Sequence, residues 1–222
     1  MRIESLDENT KKNLLEDLLK RSPNSYGEYE ACVQEILDTV REKQDEAVFD
    51  YTKKFDGADI NPGNILVTEE EVREAYAQMD ENLLRIVRRA LANIEAYHQK
   101  QMQYSWFDSK PDGTMLGQKV TALRRVGVYV PGGKAVYPSS VLMNVMPAKV
   151  AGVEEIIMVT PPGKDGKVNP TTLVAAKEAG VTAVYKVGGA QAVAALAYGT
   201  ESIPKVDKIV GPGNIYVKKK KK

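Results

Sequence analysis

A glycine turn that follows a short apolar run constrains the fold of this chain more than any other feature. Residues 126–130 are rich in β-branched side chains and predict a buried strand, which Pro131-Gly132-Gly133 then ends. Apolar residues recur at helical spacing after Ser139 and Ser140, either of which can cap a helix. We expect Pro147 to kink or end that helix early.

This turn has two interpretations that the residues leave open. Glycine allows positive φ and leaves room for a ligand, and a helix N-terminus behind it can bind an anion such as a pyrophosphate. Many α/β proteins, however, have a glycine turn after a strand only because the chain reverses there.

The strand and the glycine turn recur three more times. Residues 154–160, 181–187 and 206–210 predict strands, and each runs into a turn that contains glycine. Asn169-Pro170 predicts the start of a helix that ends at Gly180. Strands that alternate with helices at this period predict an α/β fold with a parallel sheet and right-handed crossovers. Ligands of such sheets bind at the carboxyl ends of the strands, where these turns fall.

Helical periodicity dominates the first hundred residues. Thr68 and Glu71 match a capping box at one helix start. The pair Trp106-Phe107 is expected to anchor a loop against the body of the protein. Residues 114–123 alternate and predict an edge strand or a hairpin arm that leads into the sheet.

Composition argues against several classes of partner. The net charge of +1 leaves no overall basic field for nucleic acid, and no apolar run approaches the ~20 residues that span a bilayer. Cys32 is the only cysteine, which fits a reducing compartment, and its helical setting predicts a small core residue. We interpret His98, the only histidine, as a solvated or capping residue. Because the N-terminus does not resemble a signal peptide, the sequence predicts a cytoplasmic protein without nucleic-acid or membrane partners.

Three separated motifs occur in the chain, in the order RVGVYVPGGKAVYPSSVLMNVMPAKVAGV, KVGGAQAVAALAYGT and VDKIVGPGNIYV. Together they resemble histidinol dehydrogenases. The N-terminal segment VREKQDEAVFDYTKKFDG is similar to the start of the same family, and the likeness extends from Leu6 to Val217. The resemblance implies an α/β fold in which N-terminal helices precede an incomplete Rossmann-like parallel sheet with alternating helices.

The resemblance also implies a reaction and its cofactors. Histidinol dehydrogenases oxidise L-histidinol to L-histidinal and then to L-histidine, in histidine biosynthesis, with two NAD molecules in turn and a bound zinc ion. The family forms homodimers. No GxGxxG fingerprint is present here, so we expect cofactor binding to differ from that of the usual dinucleotide fold.

The family's NAD-contacting positions fall on Tyr129, Gln191 and Asn214. Tyr129 can offer a ring face and a hydroxyl to the cofactor. The amide of Gln191, at a helix start, can both donate and accept hydrogen bonds. For Asn214 the residues alone favour a simpler role, as the cap of a helix that begins at Ile215.

The chain departs from the family after Val217. The family continues for roughly as many residues again, whereas this chain ends with five lysines at positions 218–222. By the resemblance, the missing part holds the family's Glu-His acid/base pair and its zinc-binding Gln, His and Asp positions. One histidine and one cysteine, far apart in sequence, predict no zinc site, and no catalytic residue is assigned within the chain. We therefore expect the chain alone not to catalyse the reaction.

The resemblance predicts two parts, and the lysine run predicts a third. We expect residues 1–124 to be the helical part of a first, incomplete α/β domain and residues 125–217 to be a truncated Rossmann-like NAD-binding domain. Five like charges predict a disordered tail at residues 218–222. Two functions besides the enzyme stay open. One is a nucleotide-binding module without catalysis, and the other is a basic-tailed interaction fragment whose sheet is only a scaffold.

Overall fold

Four parallel strands form the centre of the fold in a computed structural model that describes residues 7–11, 27–132 and 136–212. The strands in the described residues are β1 (Trp106–Ser109), β2 (Met115–Gln118), β3 (Arg125–Tyr129), β4 (Glu155–Thr160), β5 (Ala183–Lys186) and β6 (Lys208–Val210). The sheet order is β5–β4–β3–β6, and every neighbouring pair is parallel. The predicted parallel α/β sheet is therefore confirmed.

Helices cover both faces of this sheet. Those with both ends in the described residues are α1 (Gly27–Lys43), α2 (Asp45–Asp56), α3 (Glu69–Gln78), α4 (Glu81–Gln99), α5 (Pro138–Val150), α6 (Pro170–Ala179) and α7 (Gly189–Tyr198). Helices α1, α2 and α7 pack on the face that bears Ile157 and Val159, which we call the α7 face. Helices α4, α5 and α6 pack on the opposite face, with Ile156 and Met158, which we call the α6 face. Strand β4 is thus buried on both sides, as in other parallel sheets.

Several helix ends follow the predicted local signals. The amide of Glu71 donates to Thr68 Oγ1 at 3.2 Å, and the amide of Thr68 donates to Glu71 Oε2 at 2.9 Å, so the capping box is confirmed. Asn169 accepts from backbone amides of the first turn of α6, which has Pro170 as its first residue. Gly180 ends that helix with a φ of 90°.

Helix α5 corrects the predicted serine cap and the predicted early end of the helix. It begins at Pro138 without a side-chain cap, so neither Ser139 nor Ser140 caps it. It also continues through Pro147 to its end at residue 150. Its apolar side, which includes the fully buried Met146, packs into the core, and this packing outweighs the hydrogen bond that proline cannot donate.

Strands β1 and β2 form an antiparallel hairpin. Among the described residues they pair with each other and not with the main sheet, so the hairpin arm, one of the two predictions for residues 114–123, is confirmed. Trp106 and Phe107, expected to anchor a loop, are 53% and 62% exposed. A two-stranded hairpin has no second layer against which such side chains can be buried. Cys32, expected in the core, is exposed on α1.

Residues 65–67 cover the outer edge of β5. The amide of Val67 donates to the carbonyl of Val184 at 2.9 Å, and the amide of Lys186 donates to the carbonyl of Ile65 at 2.8 Å. The segment therefore protects the sheet edge and joins the first hundred residues to the sheet. The division into domains at residue 125 stays a prediction.

Two further points concern the ends of the fold. In the part of the chain that the structure describes, no helix combines the length and the apolar character needed to cross a membrane. The predicted tail at 218–222 lies outside the described residues.

Candidate functional site

The strand order reverses between β3 and β6. The chain passes from β3 to β4 and β5 on one side, and then returns across the sheet to β6 on the other. In open α/β sheets, ligands bind outside the carboxyl ends of the strands at such a point. Here Gly211, just after β6, lies so close to the carbonyl of Tyr129 that a Cβ would not fit. The ends of β3 and β6 therefore form one continuous wall of the candidate site.

Tyr129 is the last residue of β3 and is only 7% exposed. Its hydroxyl accepts a hydrogen bond from the backbone amide of Gly189, the first residue of α7. Burial raises the pKa of Tyr129, and the charge of Asp56 raises it further, whereas the bond from Gly189 lowers it. The hydroxyl therefore stays protonated at neutral pH and can donate a hydrogen bond to a ligand.

Gln191 lies in the first turn of α7 and is 1% exposed. Neither its Nε2 nor its Oε1 has a hydrogen-bond partner among the described residues. The side chain folds back over the helix start, since Oε1 would lie 2.5 Å from a Cβ on Gly189, a residue with a φ of 65°. A buried polar group without a partner costs about 1–3 kcal/mol. An amide left in this state is a candidate for contact with a ligand.

The structure brings two of the three predicted cofactor residues together. Both Tyr129 and Gln191 lie on the α7 face, and both contact Gly189 at the carboxyl edge of the sheet. Asn214 lies outside the described residues. The role of all three residues in binding a cofactor stays a prediction.

Asp56, which the sequence patterns did not single out, adds a carboxylate to the same place. It is the last residue of α2, and its Oδ2 is buried without a hydrogen-bond partner among the described residues. Burial raises its pKa, and its charge in turn acts on the hydroxyl of Tyr129. One signal in the sequence could have found it, because an acid in the last turn of a helix opposes the helix dipole.

Close protein packing requires the glycines of two turns. A Cβ on Gly132 would lie 2.5 Å from Cγ of Pro161. A Cβ on Gly188 would lie 2.5 Å from Cβ of the same proline. Pro161 follows β4 and packs against both glycines. These two glycines are therefore explained by close packing of the strand ends, and Gly133 lies outside the described residues.

A cavity of about 440 Å³ opens at the same edge, on the α6 face. Its walls include Pro131 after β3, Thr160 at the end of β4, and Asn169 at the start of α6. Pockets of this size accept small organic ligands. A second cavity of about 440 Å³ lies beside His98 and the starting residues of β3 and β6, at the opposite ends of the strands.

Comparisons with known proteins agree with the motifs. A family model described as histidinol dehydrogenase matches residues 19–222. The chain is 59% identical over 200 residues to a histidinol dehydrogenase of Bacillus subtilis (strain 168), which covers 90% of this chain and 46% of the relative. It is also 59% identical over 190 residues to a histidinol dehydrogenase of Heliobacterium mobile, which covers 86% of this chain and 44% of the relative.

A solved structure supports the same comparison. The crystal structure of histidinol dehydrogenase from Elizabethkingia anophelis matches with a TM-score of 0.80 and 36% sequence identity, over 85% of this chain and 43% of that chain. The chain thus spans about half the length of the curated relatives and the solved structure that it matches.

Proposed function

Because this chain belongs to the histidinol dehydrogenase family, we propose that it supplies the nucleotide-binding part of an enzyme that oxidises L-histidinol to L-histidinal and then to L-histidine with NAD. One observation carries the proposal. The amide of Gln191 is buried without a partner among the described residues, next to Gly189, whose backbone amide donates to the hydroxyl of Tyr129 at the carboxyl edge of the sheet. Ligands of open α/β sheets bind at this edge.

The residues at this edge fit a nicotinamide dinucleotide. The adenine edge and the nicotinamide carboxamide each present a donor beside an acceptor, which complements the donor and the acceptor of the Gln191 amide. The bond from Gly189 holds the hydroxyl of Tyr129 in place, so that its proton can point to a ligand acceptor. A cavity of about 440 Å³ at the same edge, on the α6 face, is large enough for a nucleoside. When bound, NAD accepts a hydride in each oxidation.

The described residues do not fit a zinc site. No group of three or more His, Cys, Asp or Glu in residues 7–11, 27–132 and 136–212 could hold a metal ion, whereas zinc requires three or four such ligands. Zinc binding and the homodimer are implied by the family resemblance alone, and we derive no step for this chain from them. The cytoplasmic location likewise stays a prediction.

The same resemblance places the catalytic residues of the family outside this chain. The family's acid/base pair corresponds to positions beyond Val217, so we expect the 222-residue chain to bind NAD without oxidising L-histidinol. The alternative of a basic-tailed interaction fragment depends on residues 218–222, which lie outside the described residues.

Isothermal titration calorimetry of the 222-residue chain with NAD tests the proposal. Saturable binding is expected, and Gln191→Leu, which keeps the side-chain volume but removes the amide, should weaken it roughly tenfold or more. Gln99→Leu, on an exposed position of α4, is the matched control and should bind as the unchanged chain does. Absence of saturable binding, or equal binding by both variants, would contradict the proposal.

A further inference from the structure

The C-terminal end of α2 lies against the carboxyl edge of the sheet. Gly57 ends the helix with a φ of 69°, and a Cβ on it would lie 3.7 Å from Cγ of Lys164, in the loop after β4. Ile60 lies beside Gly166 in the same loop. These contacts bring Asp56, the residue before Gly57, to the edge at which β3 ends.

One oxygen of the Asp56 carboxylate is left without compensation there. Its Oδ2 is buried and accepts no hydrogen bond from a described residue. Burial alone raises its pKa, with no contribution from a neighbouring cation or donor. A buried carboxylate is normally paired or hydrogen-bonded, because an unpaired one costs more free energy than most single interactions supply.

The buried polar atoms without a hydrogen-bond partner lie close together at this edge of the sheet. In the part of the chain that the structure describes, the buried side-chain oxygen and nitrogen atoms without a partner belong to Asp56 and Gln191 alone. Both residues are tied to Tyr129, since Asp56 acts on its hydroxyl through charge and Gln191 meets it at Gly189. Two such residues near the contact between Tyr129 and Gly189 point to a common ligand and not to two separate packing defects.

The chemistry of the ligand follows from what Asp56 lacks. Its oxygen can only accept, so the ligand must bring a donor to it. A phosphate oxygen is excluded, because like charges would repel in a buried place. Among the groups of a nicotinamide dinucleotide, the ribose hydroxyls are the donors that carboxylates usually bind in dinucleotide sites.

We infer that Asp56 is a further residue of the nucleotide site, in which its buried oxygen accepts a hydrogen bond from a ribose hydroxyl of the bound dinucleotide. This inference rests on the proposed function. It assigns part of the site to α2, a helix that lies outside the predicted NAD-binding segment at 125–217.

Three variants of the 222-residue chain test the inference with NAD as the probe in calorimetric titrations. Asp56→Asn keeps the shape and removes the charge, and Asp56→Ala removes the group without adding an amide donor. Asp50→Asn makes the same chemical change at an exposed position of the same helix and is the matched control. We expect both changes at Asp56 to weaken NAD binding roughly tenfold or more, and Asp50→Asn to leave it unchanged.

The stability of the ligand-free variants provides a second readout. Removal of an unpaired buried charge should leave the urea midpoint unchanged or raise it, so that weaker binding cannot be attributed to a damaged fold. Equal NAD affinity in the unchanged chain and both Asp56 variants would overturn the inference, as would tighter binding, which would place the carboxylate beside a phosphate. If the unchanged chain itself does not bind NAD, the proposed function fails first.

Discussion

Glu178 on the α6 face and Asp56 on the α7 face are both carboxylates near the ends of helices that cover the sheet. Glu178 accepts hydrogen bonds from the hydroxyl of Tyr76 at 2.7 Å and from Arg88 at 2.9 and 2.8 Å. The bond from Arg88 lowers the pKa of Glu178. Asp56 has an oxygen without any described partner, and burial raises its pKa.

The difference separates groups that hold the fold from groups that a ligand can satisfy. The bonds of Glu178 join α6 to α3 and α4, so they tie helices of one layer together. The same logic applies to Lys186, which is paired with Glu71 at 2.5 Å across β5 and α3. In contrast, Oδ2 of Asp56 and both polar side-chain atoms of Gln191 have no hydrogen-bond partner among the described residues. Glu178 and Lys186 on the α6 face are therefore structural, whereas a binding role for Asp56 and Gln191 on the α7 face is our proposal.

Removal of each carboxylate in turn is the strongest test of whether Glu178 is structural and Asp56 is not. Glu178→Ala leaves the hydroxyl of Tyr76 without its acceptor, and should lower the free energy of unfolding by about 2 kcal/mol. Asp56→Ala should lower it by less than about 0.5 kcal/mol or raise it, because no described bond is lost. Urea denaturation without NAD measures both values. An equal loss in the two variants would mean that Asp56 is structural.

A second test removes the amide of Gln191. Gln191→Leu should raise the free energy of unfolding by about 1 kcal/mol, because a buried amide without partners is replaced by an apolar group of similar volume. Gln99→Leu, at an exposed position, should change it by less than about 0.5 kcal/mol. The measurement is again urea denaturation without ligand. A loss of stability in Gln191→Leu would show that its amide has a structural partner, and would weaken the contrast between the faces.

The structural side of this contrast was partly predictable from sequence. The capping box of Thr68 and Glu71 and the ends of α6 at Asn169 and Gly180 depend on residues within one helical turn, so local patterns were sufficient. The helix continues through Pro147 because its apolar side packs into the core, and a local sequence pattern contains no information on that packing. The same holds for the exposed hairpin and for Cys32.

The binding side was less predictable. Tyr129 and Gln191 were identified through motifs of the family, and the structure adds that they meet at Gly189. Asp56 lies far from both in sequence, so its arrival at the site depends on how α2 crosses the α7 face. The one local signal was its place in the last turn of a helix, where an acid interacts unfavourably with the helix dipole. Residues that break such local rules are found mainly at functional or strained sites.

A smaller test sharpens the contrast on the α6 face. Tyr76→Phe removes only the hydroxyl that donates to Glu178, and should lower the free energy of unfolding by about 1 kcal/mol. Burial and the bond to Glu178 raise the pKa of Tyr76 to about 12. The hydroxyl therefore stays protonated in urea denaturation at neutral pH. If Tyr76→Phe is as stable as the unchanged chain, the bond contributes nothing and Glu178 depends on Arg88 alone.

The smallest expected effect is in the pH dependence, where the two carboxylates should have opposite signs. The folded pKa of Glu178 lies below its ordinary value of 4.5, so its stabilising contribution is present above that value and is lost as the pH falls through the folded pKa. The folded pKa of Asp56 lies above its ordinary value of 3.8, so its contribution is present below that value and is lost as the pH rises through the folded pKa.

Urea denaturation between roughly pH 3 and 7 measures both slopes in the unchanged chain and in the matched pair Glu178→Gln and Asp56→Asn. The stability advantage of the unchanged chain over Glu178→Gln should shrink towards acid pH. The stability of Asp56→Asn relative to the unchanged chain should grow as the pH rises above 3.8. Slopes of the same sign would contradict the comparison, because they would require Asp56 to have a partner that favours its charged form.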